Sequence, residues 1–450
     1  MTKKENKLSV QRLKGLQDKL DSKNPANPEI LQNQGADNLH GYKKTKIGWI
    51  PEDWDCKKLK SICLQITDGK HGDCENQLLS GYFFISARDI KDGKIVYENA
   101  RQIAKSDFEE THKRTRLEPG DILLSNSGSI GKTAIAQNNE LTAKTTFQKS
   151  VAIIKPNKIR IDSYFLYFNL TYQQKYLERI ATGSSQKNLL LGDINKILIP
   201  LPPFSEQKKI AKILSTWDEA IEKTRTLIAA REKLKKALMQ QLLTGKKRFR
   251  EFEGKEWKTK RIKEIGRVVA GGTPDTKNQK YWNGNIYWCI PTDITALKGK
   301  YITQTARKIT KEVLKNSSAE ILPPKSVIVC TRATIGECAI NTVPMATNQG
   351  FKSIVPDTET ESEYLYYWIK LNKNVLLRLG AGSTFFEVPK MDFEKIKIII
   401  PSRAEQKKIV AVLSTFDKEI ELLNKKLAAL QRQKKGLMQV LLSGKVRVKV

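Results

Sequence analysis

The chain has 450 residues, 80 Lys and Arg against 48 Asp and Glu, and a formal charge of +32. That length holds two or three domains with real cores. A charge of that size, carried by both halves and by both long helical segments, favours a polyanionic partner, nucleic acid first, over a surface made basic only for solubility. Six cysteines without a CxxC pair and three histidines argue against a zinc site or a disulfide framework. No run approaches the roughly 18 apolar residues of a membrane span, and the start MTKKENKLSV has no apolar signal core, so a cytoplasmic protein with no membrane partner is expected.

Residues 1–40 are polar, carry NPANP and read as a flexible or weakly helical extension. Residues 41–204 form a first globular module. From Trp54 onward, β-like runs such as GYFFISARDI, GDILLSNSG and SVAIIKP alternate with Gly, Asn, Asp and Pro. A helical stretch, IDSYFLYFNLTYQQKYLERI, and a closing strand, NKILIPLPP, complete the module before a proline stop. Residues 205–250 are a first long helix. Residues 251–402 repeat the module's order loosely: YWCIPTDI answers FFISARDI, PKSVIVCTRATIGECAI answers PGDILLSNSGSIGKTAI, and EYLYYWIKL answers SYFLYFNLT. Residues 403–450 are a second long helix.

The two helical segments are one sequence written twice: between 206–246 and 405–445, 22 of 41 positions are identical. In the second copy an a/d seam runs through Ile409, Leu413, Phe416, Ile420, Leu423, Leu427, Leu430, Lys434, Leu437 and Leu441. The first copy carries Ile210, Leu214, Trp217, Ile221, Thr224, Ile228, Arg231, Lys235, Leu238 and Leu242 at the same places. Two related seams on one chain can satisfy each other as an internal antiparallel coiled coil, which would give a pseudo-twofold molecule. Pairing with a second copy of the chain is the other solution. Proline and an acid in the first turn (Glu206, Glu405) and a terminal glycine (Gly245, Gly444) are ordinary start and stop signals.

Three enzyme-like patterns fail. The run Ser127–Thr133 ends like a phosphate-binding loop, but its first glycine is replaced by Asn126, so a strand-turn-strand element is expected. Leu201-Pro202-Pro203-Phe204 resembles the loop that holds the target amine in amino-methyltransferases, yet leucine accepts no hydrogen bond, and no glycine-rich S-adenosylmethionine loop follows a strand. Asp89 and Asp293 correspond between the halves and read as turn caps. No nucleophile, base and acid set forms.

Two similar modules, each closed by a proline, an EQKKI start, an LSTxD helix and an LL[TS]GK end, together with GGTPDTKNQKYWNG, IPTDI and TRATIG, resemble the DNA-specificity subunit of type I restriction-modification systems. The resemblance covers residues 42–450. It implies an α+β fold with two pseudo-symmetric α/β target-recognition domains separated by two long helices that form an antiparallel coiled coil. It further implies a non-catalytic subunit that reads a bipartite asymmetric site in double-stranded DNA and docks two modification subunits and restriction subunits. On this reading the chain binds no cofactor, and S-adenosylmethionine, ATP and Mg are used by its partners. A stand-alone DNA-binding scaffold, and an enzyme with its own methyltransferase centre, are the other classes to be tested.

Base edges are read best by Arg or Lys on guanine and Asn or Gln on adenine, with Ser and Thr more permissive. Loop residues of those types in the first module are Lys70, His71, Arg88, Ser125, Asn126, Lys132, Gln148, Ser184, Ser185, Gln186 and Lys187. The corresponding places in the second hold Thr273, Lys277, Tyr281, Thr292, Thr331, Arg332, Asn348, Gln349, Ser383, Thr384 and Phe385. Gln148 with Gln349, which match in position, and Arg332 and Gln186 are the leading candidates. Because the two sets differ, the two half-sites should differ.

Overall fold

The computed structural model describes residues 40–183, 187–381 and 386–449, so the extension at 1–40 lies outside them but for its last residue. The chain divides into two compact units, Met1–Ile221 with Ala429–Val450, and Glu222–Ala428.

In the first unit an antiparallel sheet runs in the order Thr133–Ile135, Ile122–Ser125, Val151–Pro156, Cys63–Asp68. Its central strands carry the apolar runs Ile122-Leu123-Leu124 and Val151-Ala152-Ile153-Ile154, because both faces are covered there. Ile122, Leu124, Ala152 and Ile154 face the helix Ser163–Tyr172, joining Phe165, Leu166 and Phe168 in one core. Leu123, Val151 and Ile153 alternate to the other face, against Ile85 and Phe147 of a second sheet. That sheet pairs Thr145–Phe147 parallel to Phe83–Ile85, which in turn lies antiparallel to Arg101–Gln102. The hairpin Ile122–Ser125/Thr133–Ile135 is the strand-turn-strand element expected around the Ser127–Thr133 run.

The second unit repeats the plan. Its main sheet follows the order Gly266–Ala270, Lys352–Pro356, Val327–Val329, Cys338–Asn341, Tyr301–Ile302, the last pairing being parallel. Val327 and Val329 face the helix Ser362–Leu371, while Ile328 and Ala339 face Cys289, Met345 and Phe351. The closing strands also correspond: Leu198–Leu201 pairs with Asp55–Lys58, and Lys397–Ile400 with Lys258–Arg261.

The long helices are Phe204–Leu242 and Arg403–Leu441, 39 residues each, hence about 60 Å. They stop where Gly245 and Gly444 turn to φ values of 70° and 71°. Every residue of the two apolar seams is buried or half-buried. The two lysines that interrupt them are paired. Lys434 Nζ reaches Asp218 Oδ1 at 2.5 Å in the first unit, and Lys235 is bonded to Asp417 in the second.

The glutamate and glutamine that open each long helix do more than start it. Glu206 and Gln207, Glu405 and Gln406 are each only 1 % exposed. In the first unit Glu206 accepts from Trp54 Nε1 at 3.1 Å and from Arg447 Nε and Nη2 at 2.9 and 2.8 Å, while Arg447 also forks onto Asp53. In the second, Glu405 accepts from Trp257 Nε1 at 3.1 Å and from Arg248 Nε and Nη2 at 2.9 and 2.6 Å. Gln207 accepts the amide of Asp162 and donates to Pro202 O, and Gln406 accepts the amide of Glu361 and donates to Pro401 O. Within each unit, the start of one long helix therefore meets the tail that follows the other, and the two helical segments run in opposite directions.

Removing the arginine strands a buried carboxylate. Arg248→Ala is expected to destabilise the second unit by about 3 kcal/mol, seen as a lower urea midpoint. Arg447→Ala should cost less, because solvent reaches 41 % of the Arg447 side chain against 18 % for Arg248. Wild-type midpoints in both variants would mean that this clasp of glutamate, tryptophan and arginine does not hold the units together.

Candidate nucleic-acid interface

Loops of each unit converge on one edge, and the backbone bonds that gather them are the same in both. Lys70 N donates to Phe147 O at 2.8 Å, and Gly272 N to Thr347 O at 2.9 Å. Gln148 N donates to Ile85 O at 2.9 Å, and Asn348 N to Cys289 O at 3.0 Å. Asn126 N donates to Ser150 O at 3.0 Å, and Thr331 N to Gly350 O at 2.9 Å. Leu189 N closes on Asn126 O at 2.7 Å, and Val388 N on Thr331 O at 2.9 Å. Glycine is required where the first of these loops crosses the edge: a Cβ on Gly69 would lie 2.0 Å from Phe147 O, and one on Gly271 1.8 Å from Asn348 O.

Asp89 and Asp293 fasten a further loop in each copy. Asp89 Oδ2 accepts Ser86 N at 2.8 Å, and Asp293 Oδ2 accepts Ile290 N at 2.9 Å, the turn-capping role read from the sequence. The bonds also correct one alignment. The structural partner of Gln148 is Asn348, not Gln349, because Gln148 and Asn348 make the same bond to the preceding strand.

The candidate residues fall into three groups. Arg88, Lys187, Lys277 and Gln349 are exposed, and Lys132, Gln148, Tyr281, Arg332 and Asn348 are half-buried. Lys277 and Tyr281 lie on a turn apart from the convergent loops, where Asp275 Oδ1 accepts Lys277 N and Tyr281 packs against the Trp288 cluster. A second group is committed to the protein. Lys70 Nζ lies 3.0 Å from both Asp107 and Glu110, and these bonds hold its ammonium above the usual range. Ser125 and Thr331 are fully buried, and Thr331 Oγ1 donates to Gly350 O at 3.2 Å, which makes it a loop fastener rather than a base reader. Asn126 is 8 % exposed, with an Oδ1 that has no partner among the described residues. The third group, Ser184, Ser185, Gln186, Ser383, Thr384 and Phe385, lies outside the described residues.

The sequence reading passed over a charged set on the second edge. Lys352, inside an apolar strand, is 8 % exposed in its side chain and sits 3.0 Å from Glu387, whose other oxygen is 4.0 Å from Arg332 Nε. A lysine within the run FKSIVP demands a carboxylate, which was the signal available. The Arg332–Glu387 bridge corresponds to Ser127–Asn188 in the first unit, so the matching place there is uncharged.

Nothing in the described residues suggests covalent or metal chemistry. All six cysteines are free, and burial pushes every thiol up, Cys330 to about 11 and Cys63 and Cys338 to about 12. No group of three His, Cys, Asp or Glu side chains is placed to hold a metal ion, and no helix is long and apolar enough to cross a membrane, among the described residues.

Comparison with known proteins agrees with this geometry. The family model described as type I restriction modification DNA specificity domain matches twice, at residues 51–230 and 254–432. The putative type I restriction enzyme MjaX specificity subunit of Methanocaldococcus jannaschii is 30% identical over 430 residues, 91% of this chain and 97% of that one. The EcoR124I/EcoR124II specificity subunit of Escherichia coli is 29% identical over 293 residues, 62% of this chain and 68% of that one. Among solved structures, the S subunit of a type I system from M. genitalium superposes with a TM-score of 0.54 at 16% identity, covering 86% of this chain and 96% of that one. A chain from a structural study of type I R-M complex assembly and conformational transition gives 0.58 at 18% identity, over 88% and 99%. With two matches that together span most of its length, and a relative aligned nearly end to end, this chain belongs to the family of type I restriction-modification DNA specificity subunits.

Proposed function

We propose that this chain is the sequence-reading subunit of a type I restriction-modification complex, with residues 41–204 and 251–402 as target-recognition domains that each read one half of a split, asymmetric DNA site. The observation that carries this reading is the loop edge built twice from the same backbone bonds while the side chains on it differ. A scaffold repeated with changed side chains is what two unlike half-sites require. Residues 205–250 and 403–450 contribute the long helices, which pair as one antiparallel coiled coil and set the gap between the half-sites. That element docks two modification subunits, which use S-adenosylmethionine, and restriction subunits that use ATP and Mg join them in the cytoplasm.

Of the candidate residues, those with exposed or half-exposed side chains are the DNA contacts: Arg88, Lys132, Gln148 and Lys187 in the first module, and Lys277, Tyr281, Arg332, Asn348 and Gln349 in the second. Ser184, Gln186, Ser383 and Thr384 remain candidates by residue type and position. Phosphate contacts position a protein and base contacts specify, so these residues divide between the two roles.

The chain co-expressed with its modification subunit should direct adenine methylation to an interrupted motif, mapped across a genome by methylome sequencing. Continuous methylated sites would overturn the two-reader arrangement, and selective binding without any directed methylation would mark a stand-alone scaffold instead. Arg332→Ala should relax one position of one half-site at a cost of about 1–3 kcal/mol in DNA affinity, while the other half-site is read unchanged. Weakening that is equal on all sequences would make Arg332 a phosphate contact. Four residues added to one long helix extend it by about 6 Å and should lengthen the preferred gap by about one base pair at roughly 34–36° of twist per pair. An unchanged gap would dismiss the helices as its measure.

A further inference from the structure

The turn Ser127–Lys132 of the first unit and Arg332–Glu337 of the second are closed by the same pair of backbone bonds. Ser125 N donates to Lys132 O at 2.8 Å and Gly131 N to Ser125 O at 2.9 Å, and Cys330 N donates to Glu337 O and Gly336 N to Cys330 O at the same two distances. Gly131 and Gly336 share a left-handed φ, 78° and 83°, and each leans on the following helix, against Gln174 and Lys373 respectively. Position by position, Lys132 therefore corresponds to Glu337.

The charges around these two residues are handled oppositely. Glu337 is bonded to Lys370 Nζ at 2.5 Å and Lys373 Nζ at 2.6 Å, so the second unit is neutralised from within. Burial works to raise the Glu337 carboxyl, and the two lysines outweigh it, leaving it below its usual range. Lys132 has no such partner among the described residues. It lines an open cleft of about 410 Å³ with Gly128, Ser129 and Lys187, and neither lysine forms an ion pair with a described residue. The carboxylate on the same wall, Glu178, is turned to Gln174 Nε2 at 2.9 Å. Gly128 and Ser129 are exposed residues whose amides donate to no described residue, and Gly128 has a left-handed φ of 75°. Two free ammonium groups and two free amide donors around one opening are a recognition set for a phosphate oxygen.

We propose that this cleft of the first unit binds a phosphate group, that of the DNA backbone, and that the second unit has no such site because Glu337 and its two lysines fill the equivalent place. The proposal rests on the DNA-reading function and assigns Lys132 and Lys187 to positioning rather than to base reading. It makes the two modules electrostatically unequal.

The test measures affinity of the full chain, in its complex, for its own split site over a series of salt concentrations. Each backbone phosphate neutralised adds about 0.9 to the slope of log K against log salt. Lys132→Gln and Lys187→Gln should each lower that slope by up to about 1, with base preference and melting temperature unchanged, and Lys373→Gln should leave it as in the wild type. Calorimetric titration with inorganic phosphate is the second arm: heat abolished by Lys132→Gln, with no change of DNA slope, would make the site one for free phosphate. An unchanged slope with no phosphate heat overturns the proposal, as does a Lys132→Gln variant whose loss is confined to one base of the target. A slope drop for Lys373→Gln overturns the asymmetry. If the wild-type complex itself binds scrambled duplex as tightly as its site, the DNA-reading function fails, and the phosphate arm still reports on the cleft.

Discussion

A carboxylate that is 99 % buried at the start of a helix is the constraint from which each unit is organised. Glu206 and Glu405 are charged groups out of water, and such a group persists only when it is fully paired. Each is satisfied by an indole N–H from the module's first strand region and by the fork of an arginine from the tail following the other long helix. Arginine suits the place because its planar fork meets both carboxylate oxygens while its face lies over the tryptophan, 5.7 Å away for Arg447 and 5.6 Å for Arg248. In the first unit three segments distant in sequence are thereby tied at one point, and in the second the stretch from Arg248 to Trp257 is tied to the start of the other long helix. The adjoining glutamines fix the segment before the module's main helix to the same point. The loop edge is carried on strands that pack on that helix, so its position relative to the long helix is inherited from the clasp.

The parts of the fold legible in the sequence were those with a period or a copy. The helices announced themselves by duplication and by a seam every three or four residues, and the strands by apolar runs cut by turn residues. The role of the EQ pair was less legible, since glutamate in a first turn has an ordinary explanation in the helix dipole. Only its burial shows that it holds the unit together. The edge residues were legible by type but not by availability. Lys70, Ser125, Asn126 and Thr331 have the right chemistry for DNA, yet their side chains are claimed by neighbouring carboxylates or buried among the loop bonds. Sequence spacing could not reveal this, because the carboxylates that take Lys70 lie on a helix nearly forty residues away, Lys105–Thr115. The pairing of Gln349 with Gln148 failed for a related reason: two residues of like type stand one place apart in loops of equal length, and only the strand bonds show that Asn348 answers Gln148 and Gln349 answers Lys149.

The repeated edge separates two kinds of information. Backbone amides and carbonyls gather the loops, and they are indifferent to side-chain identity, so the edge keeps its shape while its surface changes from Ser127 and Asn188 to Arg332 and Glu387. The second edge has become internally charged, with buried Lys352 anchoring Glu387 beside Arg332. The first is uncharged at that place and basic in the neighbouring cleft. A buried lysine on the strand beneath an edge is costly unless paired, so Lys352 and Glu387 must change together. That coupling reaches from the core of the sheet to its surface.

How firmly the scaffold dictates the edge is seen at Gly128 and Ala333. Both are in the left-handed region, with φ of 75° and 59°, but only glycine enters it without steric cost. For alanine the conformation costs roughly 1 kcal/mol. The second turn holds it nonetheless, because Thr334 N to Arg332 O at 2.7 Å, Gly336 N to Cys330 O at 2.9 Å and Cys330 N to Glu337 O at 2.8 Å leave the chain no other course. The salt bridges from Glu337 to Lys370 and Lys373 brace the same turn against two successive helices, Ser362–Leu371 and Lys373–Ala381. A local preference is overridden by a set of bonds to the body of the unit, which is the condition under which side chains on a loop can be exchanged without moving the loop.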